Sequence, residues 1–260
     1  MSKKKNTLLR NTSILMAATI ISRVIGLLYR SPLGETIGNE GLGYYSTASN
    51  LYTILLLISS YSIPMAVSKI VSERLALKEY RNAHRVFHGA LLYAVIVGGV
   101  AALVAFFGGK FLLPYNQQNA LLALRVLAPT IFFSAVLGVL RGYFQAHSTM
   151  MPTSISQIIE QVFNAAFSIG AAWFFIQQFA TNDTEHAKFG AAGGTLGTGA
   201  GVLAGLCFML LVYGVNRKSI LRKAVKDTRH REESYREIFQ VLFLMVTPVI
   251  FTTFIYNCNA

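Results

Sequence analysis

A bundle of transmembrane helices is the fold class this sequence predicts, and three observations carry it. Hydrophobic residues make up 53% of the 260 and charged residues 13%, against about 25% charge in a soluble globular chain. Seven apolar runs are long enough for a bilayer core of about 30 Å, which takes roughly 20 helical residues to cross. Lys and Arg outnumber Asp and Glu 23 to 11, for a net charge of +12, and they gather in alternate connecting segments. A mean hydropathy of +0.49 rules out a disordered chain, which needs low hydrophobicity. In a soluble protein such basicity points to nucleic acid. Between apolar spans it points to loops beside an anionic leaflet, so the partner is the lipid bilayer and no nucleic acid is expected.

The first run is Asn11–Tyr29. Lys3, Lys4, Lys5 and Arg10 precede it as in a signal peptide, but no small-residue cleavage site and polar mature chain follow, so it reads as an uncleaved helix. Arg23 lies in its middle, where an arginine costs about 2.5–3.5 kcal/mol on insertion scales and normally faces a bundle interior or a watery cavity. Arg30 is two helical turns on and shares that face. Gly26 lies between them, removes side-chain bulk and offers a hinge. The stripe suits an anion, since the planar guanidinium fork matches phosphate oxygens. Two plainer readings stand beside this one: Arg30 snorkels to the interface, and Arg23 pairs with a carboxylate for structure alone.

The second run, Tyr45–Ile70, contains Pro64, which removes a helical hydrogen bond and predicts a hinge. Beyond it, Ser68–His88 alternates basic and apolar residues and predicts an amphipathic helix on the inner membrane surface. His84 and His88 have a metal-compatible spacing there, but there is no intervening Glu in an HExxH pattern and no third ligand nearby, so no metal is expected. The third run is Phe87–Leu113 and the fourth, with Pro129, is Leu121–Phe144.

The fifth run, Thr153–Phe179, carries Gln157, Glu160, Gln161, Asn164 and Ser168 at three- and four-residue spacing, so one helical face is polar. Glu160 is the one acidic residue inside any run and a natural partner for Arg23, or a cation or proton site. A packing network and a transport role explain this face equally well. The sixth run, Ala191–Val215, places Gly193, Gly197, Gly201 and Gly205 every fourth residue, a smooth face for close helix packing. Gly199–Ala204 has the letters of a dinucleotide fingerprint, but no βαβ unit surrounds it. The seventh run, Ile238–Ala260, holds Pro248 and ends without a basic stop, which reads as the N-terminal part of a longer protein.

Loop charge predicts a cytoplasmic N-terminus. Eighteen Lys and Arg then lie inside (four before Asn11, five over 69–85, Arg141, and eight over 217–236) against three outside at Arg30, Lys110 and Lys188. Cys207 and Cys258 both sit in apolar runs and form no disulfide framework. There is no nucleophile–base pair, GxSxG, P-loop or kinase signature, so neither enzyme chemistry nor a cofactor is expected.

Ser22-Arg23-Val24-Ile25-Gly26-Leu27, followed by Arg30, resembles the first helix of the lipid II flippase family and, more closely, the stage V sporulation protein B-like polysaccharide transporters. Residues 37–45, 62–73, 140–146 and 151–161 strengthen the resemblance, which covers most of residues 10–165. It implies the multidrug/oligosaccharidyl-lipid/polysaccharide exporter superfamily: two pseudo-symmetric six-helix lobes with a central cavity that alternates between membrane faces. It also implies movement of undecaprenyl-linked sugars across the cytoplasmic membrane, with Arg23 lining the cavity and Arg30 similar to a second cavity arginine at slightly different spacing. On this pattern residues 1–237 form an N-terminal lobe, 238–260 the first helix of a second lobe, and the remaining C-terminal lobe is missing. The expected function is a flippase for a lipid-linked cell-envelope sugar precursor, with the anion at Arg23 and Arg30 and the glycan along Gln157, Glu160, Gln161 and Asn164. The alternatives are a cation-coupled multidrug exporter of the same superfamily and a non-transporting membrane scaffold for envelope synthesis.

Overall fold

The computed structural model describes residues 2–227 and 233–258, with side chains described for 13–227 and 233–248. The side chains of Lys3, Lys4, Lys5, Arg10, Arg229, Arg231 and Cys258 therefore lie outside the described residues. Eight α-helices follow one another: α1 Ser2–Leu28, α2 Arg30–Leu56, α3 Ile63–Ala76, α4 Tyr80–Leu112, α5 Leu121–Ala146, α6 Met151–Phe179, α7 Asp183–Lys226 and α8 Tyr235–Cys258. A π-turn at Leu57–Tyr61 joins α2 to α3, and a 3-10 turn at Tyr115–Ala120 precedes α5. Among the described residues there is no strand, and five stretches are long and apolar enough to cross a membrane, with α2 through α3 counted as one. Ser13–Leu28 is a sixth, shorter apolar helix. The seventh predicted run falls on α8, apart from residues 259–260, which lie outside the described residues.

Two predicted connections are folded differently. Residues 30–44 were expected as an outer loop. Instead the helical hydrogen bonds run on through Tyr29, whose carbonyl accepts from Leu33 N at 3.1 Å. The break comes at Gly38, with φ 72° and ψ 172°, a conformation open to glycine because it has no Cβ. The expected amphipathic helix over Ser68–His88 is corrected likewise. It is two helix ends, α3 and the start of α4, separated by a turn in which Lys78 has φ 63°. Of the basic residues there, Lys69, Arg74, Arg81 and Arg85 belong to the ends of spanning helices and Lys78 to the turn.

Lipid supplies no hydrophobic drive between helices, so close packing and small residues must hold the bundle. The glycine stripe of α7 does this. A Cβ on Gly193 would overlap the Ala171 carbonyl, one on Gly197 would overlap Ser168, and one on Gly201 would overlap the Glu160 carbonyl oxygen. α6 thus lies directly on α7, and α1 lies on the far side of α6. On its other flank α7 meets α5, which in turn packs on α4. One core cluster joins α3, α4, α5, α7 and α8 around Val67, Phe87, Leu140, Tyr143 and Met209. A second, towards the opposite end, gathers Leu33, Ile37, Tyr45, Leu124 and Ile131. Outward-facing Phe107, Leu211 and Val215 are strongly exposed, as expected of a surface that lipid covers.

The helix is irregular one turn before Pro64. The π-turn precedes it, and Pro64 sits in the first turn of α3, where its missing N–H costs nothing. α5 accommodates the bend through Gly142, whose added Cβ would lie 2.5 Å from the Pro64 carbonyl oxygen.

Candidate functional site: an arginine-lined cavity

The polar side of α6 and the Arg23 side of α1 face each other across a cavity of about 600 Å³. Gly26 faces Gln161 across it, where a Cβ would make an ordinary van der Waals contact with Oε1 at 3.5 Å. Thr19 Oγ1 donates towards Gln157 Oε1 at 3.5 Å one level away. The cavity is lined by Arg23, Arg30, Gly26, Gln157, Glu160 and Gln161, together with Thr19, Ser22, Leu27, Tyr29 and Arg141. Five of the six residues expected from sequence to bind substrate therefore line one cavity, as does Gly26, which was expected as a hinge and lies inside the unbroken helix α1. Pro64 lines a smaller recess beside it.

Asn164 is placed elsewhere. It is buried and does not line the cavity; its Nδ2 donates to Tyr29 Oη at 3.4 Å, and its Oδ1 accepts from Ser168 Oγ at 3.0 Å and Thr198 Oγ1 at 3.4 Å. Tyr29 Oη in turn meets Tyr45 Oη at 3.1 Å, and the Gly194 carbonyl lies 2.8 Å from Ser168 Oγ, whose one hydrogen is shared between it and Asn164 Oδ1. This network ties α6 to α7 and to the α1–α2 junction.

Glu160 is also not the partner of Arg23. Its Oε2 accepts from Arg141 Nη2 at 2.7 Å, and Arg141 Nε donates to Ser156 Oγ at 2.9 Å. The pair is partly buried, with side-chain exposures of 15% and 21%. Gly205 of α7 backs it, its would-be Cβ 3.6 Å from both Arg141 Nη2 and Glu160 Cβ. Arg23 and Arg30 make no ion pair among the described residues, and both are exposed to the cavity. Three guanidiniums against one carboxylate give the walls a positive excess, and Ser22 Oγ beside Arg23 is buried without a hydrogen-bond partner. Such a wall attracts anions and disfavours organic cations.

Sequence reasoning placed Arg141 in the inner basic tally and missed its role. A signal existed. α5 and α6 are joined by only four residues; Arg141 and Ser156 lie five residues either side of that turn, and Glu160 is one helical turn beyond Ser156 on the same face, within reach of the long guanidinium side chain.

Comparison with known families settles the kinship. The family model described as "Polysaccharide biosynthesis protein" matches residues 8–230. The chain belongs to the polysaccharide biosynthesis protein family. Within reach of this family, it is 25% identical over 254 residues to the lipid II flippase MurJ of Bacillus subtilis (strain 168), covering 94% of this chain and 46% of that protein. It is 28% identical over 264 residues to stage V sporulation protein B of the same organism, covering 98% and 48%. Among solved structures, a MATE transporter in the straight conformation superposes with TM-score 0.74 at 15% identity, covering 96% of this chain and 53% of that one. A MOP superfamily transporter from Pyrococcus furiosus gives 0.67 at 15% identity, with 93% and 52% covered. This family member thus has the fold of the N-terminal half of an exporter, and it spans about half the length of the curated relatives it matches.

Proposed function

We propose that the chain forms one lobe of a flippase that carries a lipid-linked cell-envelope sugar precursor across the cytoplasmic membrane, with its N-terminus in the cytoplasm. In this reading residues 1–237 are the N-terminal lobe and α8 opens a second lobe that closes the cavity. The observation that carries it is the pair Arg23 and Arg30, two helical turns apart on one cavity and without an acidic partner among the described residues. A bidentate donor that meets no carboxylate is suited to a phosphate or diphosphate. Gln157 and Gln161 opposite supply neutral donors and acceptors for a glycan, and the lipid tail stays in the bilayer. Rocking of one lobe against the other would expose the site on each face in turn.

The test uses the full-length protein in cells depleted of their own precursor flippase, reading the outer-leaflet accessibility of labelled lipid-linked precursor. Wild type restores accessibility and Arg23→Ala does not. If the two variants behave alike, the anion role of Arg23 is wrong. If neither exposes precursor and wild type instead raises resistance to cationic dyes, the multidrug reading replaces this one.

A further inference from the structure

α4 and α5 touch closely at two levels and part between them. At one level a Cβ on Gly98 would lie 2.7 Å from the Ala135 Cβ; at the other, one on Gly109 would lie 3.0 Å from the Leu121 and Leu124 side chains. Between these levels is an open groove of about 350 Å³, walled by Gly99, Ala102 and Phe106 of α4 and by Pro129, Phe132 and Phe133 of α5. It shares no residue with the Arg23 cavity. Its wall is almost wholly apolar, and a Cβ on Gly99 would meet nothing within 4 Å. From Gly99 to Phe106 is two helical turns, about 10 Å along the helix. Lipid tails are as apolar as these side chains, so hydrocarbon fills such a groove in a bilayer.

The end of the groove is charged. Arg125 is exposed, one turn inside the start of α5, and its guanidinium lies 5.8 Å from the centre of the Phe106 ring, which forms part of the groove wall. Its Nε donates to the Phe106 carbonyl at 3.4 Å, and no carboxylate pairs with it among the described residues. An arginine on a lipid-exposed face is costly and extends towards the interface; the contact with Phe106 keeps this one beside the groove. Lys110, also exposed, is one turn beyond Phe106 on α4 and adds a second positive charge at the same end.

We infer that the groove seats one acyl chain of an anionic glycerophospholipid whose phosphate rests on Arg125 and Lys110. The planar fork donates to two phosphate oxygens, and the chain runs from there past Phe106 and Pro129 towards Gly99. A zwitterionic lipid has the same chains but brings its own cation to two basic side chains, so charge selects the lipid. The site is independent of the flippase reading, because it needs only the membrane-spanning bundle.

The test reads lipid at this groove alone. Phe132→Trp is introduced as a reporter into full-length protein whose other tryptophans, Trp173 included, are replaced by Phe. The protein is reconstituted in vesicles mixing dioleoylphosphatidylglycerol with dioleoylphosphatidylcholine, one of the two carrying brominated chains that quench tryptophan. Quenching at the reporter should show phosphatidylglycerol preferred about tenfold, the order expected from two basic side chains at a bilayer surface. Arg125→Gln brings the ratio close to one, whereas Arg217→Gln, at the opposite end of the bundle, leaves it unchanged. Gly99→Leu, which fills the groove where there is room for it, lowers quenching by either lipid. The proposal falls if the reporter shows no preference, if Arg125→Gln keeps the preference, or if Arg217→Gln removes it equally. It also falls if neither brominated lipid quenches the reporter, because a protein helix then covers the groove in the full-length chain.

Discussion

Arg141 and Glu160 show how the cost of a charge in a spanning helix is met: each is the other's partner, and Ser156 takes a further guanidinium hydrogen. Removing one member strands the other. Arg141→Ala should lower stability in detergent by about 3 kcal/mol, the lower end for breaking a buried pair because this one is partly exposed. Arg141→Met combined with Glu160→Met should recover most of that loss in a thermal melt while abolishing transport. His147, in the turn after α5, makes a different prediction. Burial is the largest influence on its ring and lowers its pKa, as does Lys223, while the hydrogen bond with the Tyr143 carbonyl pulls the other way. A depressed histidine pKa means that the folded state binds fewer protons than the unfolded one. Stability is then full above the unfolded value of about 6.5 and declines as pH falls below it. Melting temperatures at pH 7.5 and 5.5 should differ for wild type and differ less for His147→Gln. The site was largely legible in the sequence because Arg23, Arg30, Gln157, Glu160 and Gln161 follow helical periodicity, which needs no tertiary knowledge. The partner of Glu160 was not, because it depends on which helices face each other. Asn164 shows the same limit: it shares the polar face of α6, but the contact with α7 decides that it is buried in a network.

At the level of elements, the α6–α7 contact positions the cavity wall. Gly201 touches the backbone of Glu160 itself, so a methyl group there displaces the residue that anchors Arg141. Gly201→Ala should cost about 1–3 kcal/mol, the usual penalty for overpacking, and should lower transport with it. Gly214 lies on the same helix, but a Cβ there would meet nothing within 4 Å. Gly214→Ala should therefore be neutral or stabilise by up to about 1 kcal/mol through helix propensity, and paired melts of the two variants decide the point. The glycine period announced this packing face, because four-residue spacing has one geometric use in a lipid-immersed helix. The connections were less legible. Nothing in residues 30–37 distinguishes a helical continuation from a loop, and the break falls at one glycine among several. The Lys78 turn was hidden because the charge pattern on either side of it continues in helical phase.

Across the whole molecule, the connections that hold most of the positive charge share one end. The α3–α4 turn touches the α5–α6 turn through Ser72 Oγ, which donates to the Ala146 carbonyl at 3.4 Å. It also meets the segment between α7 and α8 through an ion pair of 2.7 Å between Arg74 Nε and Glu233 Oε1 and a hydrogen bond from Arg81 N to Asp227 Oδ2 at 3.2 Å. α1 runs parallel to α6, with Thr19 level with Gln157 and Tyr29 level with Asn164, so its N-terminal end belongs to the same side. The opposite end carries Lys110 and Lys188 near the 3-10 turn and the start of α7. Under the rule that short basic segments are retained on the cytoplasmic side, charge segregated in this way predicts an orientation with the basic end in the cytoplasm. The orientation bears on which leaflet the Arg23 cavity serves, since its α6 lining residues Gln157, Glu160 and Gln161 lie in the half of that helix nearer the basic end. Single cysteines introduced in a background with Cys207 and Cys258 replaced by Ser will test it in intact cells. Lys188→Cys should react with a membrane-impermeant maleimide from outside, and Lys78→Cys only after the membrane is permeabilised. The reverse pattern would put the basic end outside, and a site that loads lipid-linked precursor from the cytoplasmic leaflet would then face the wrong way.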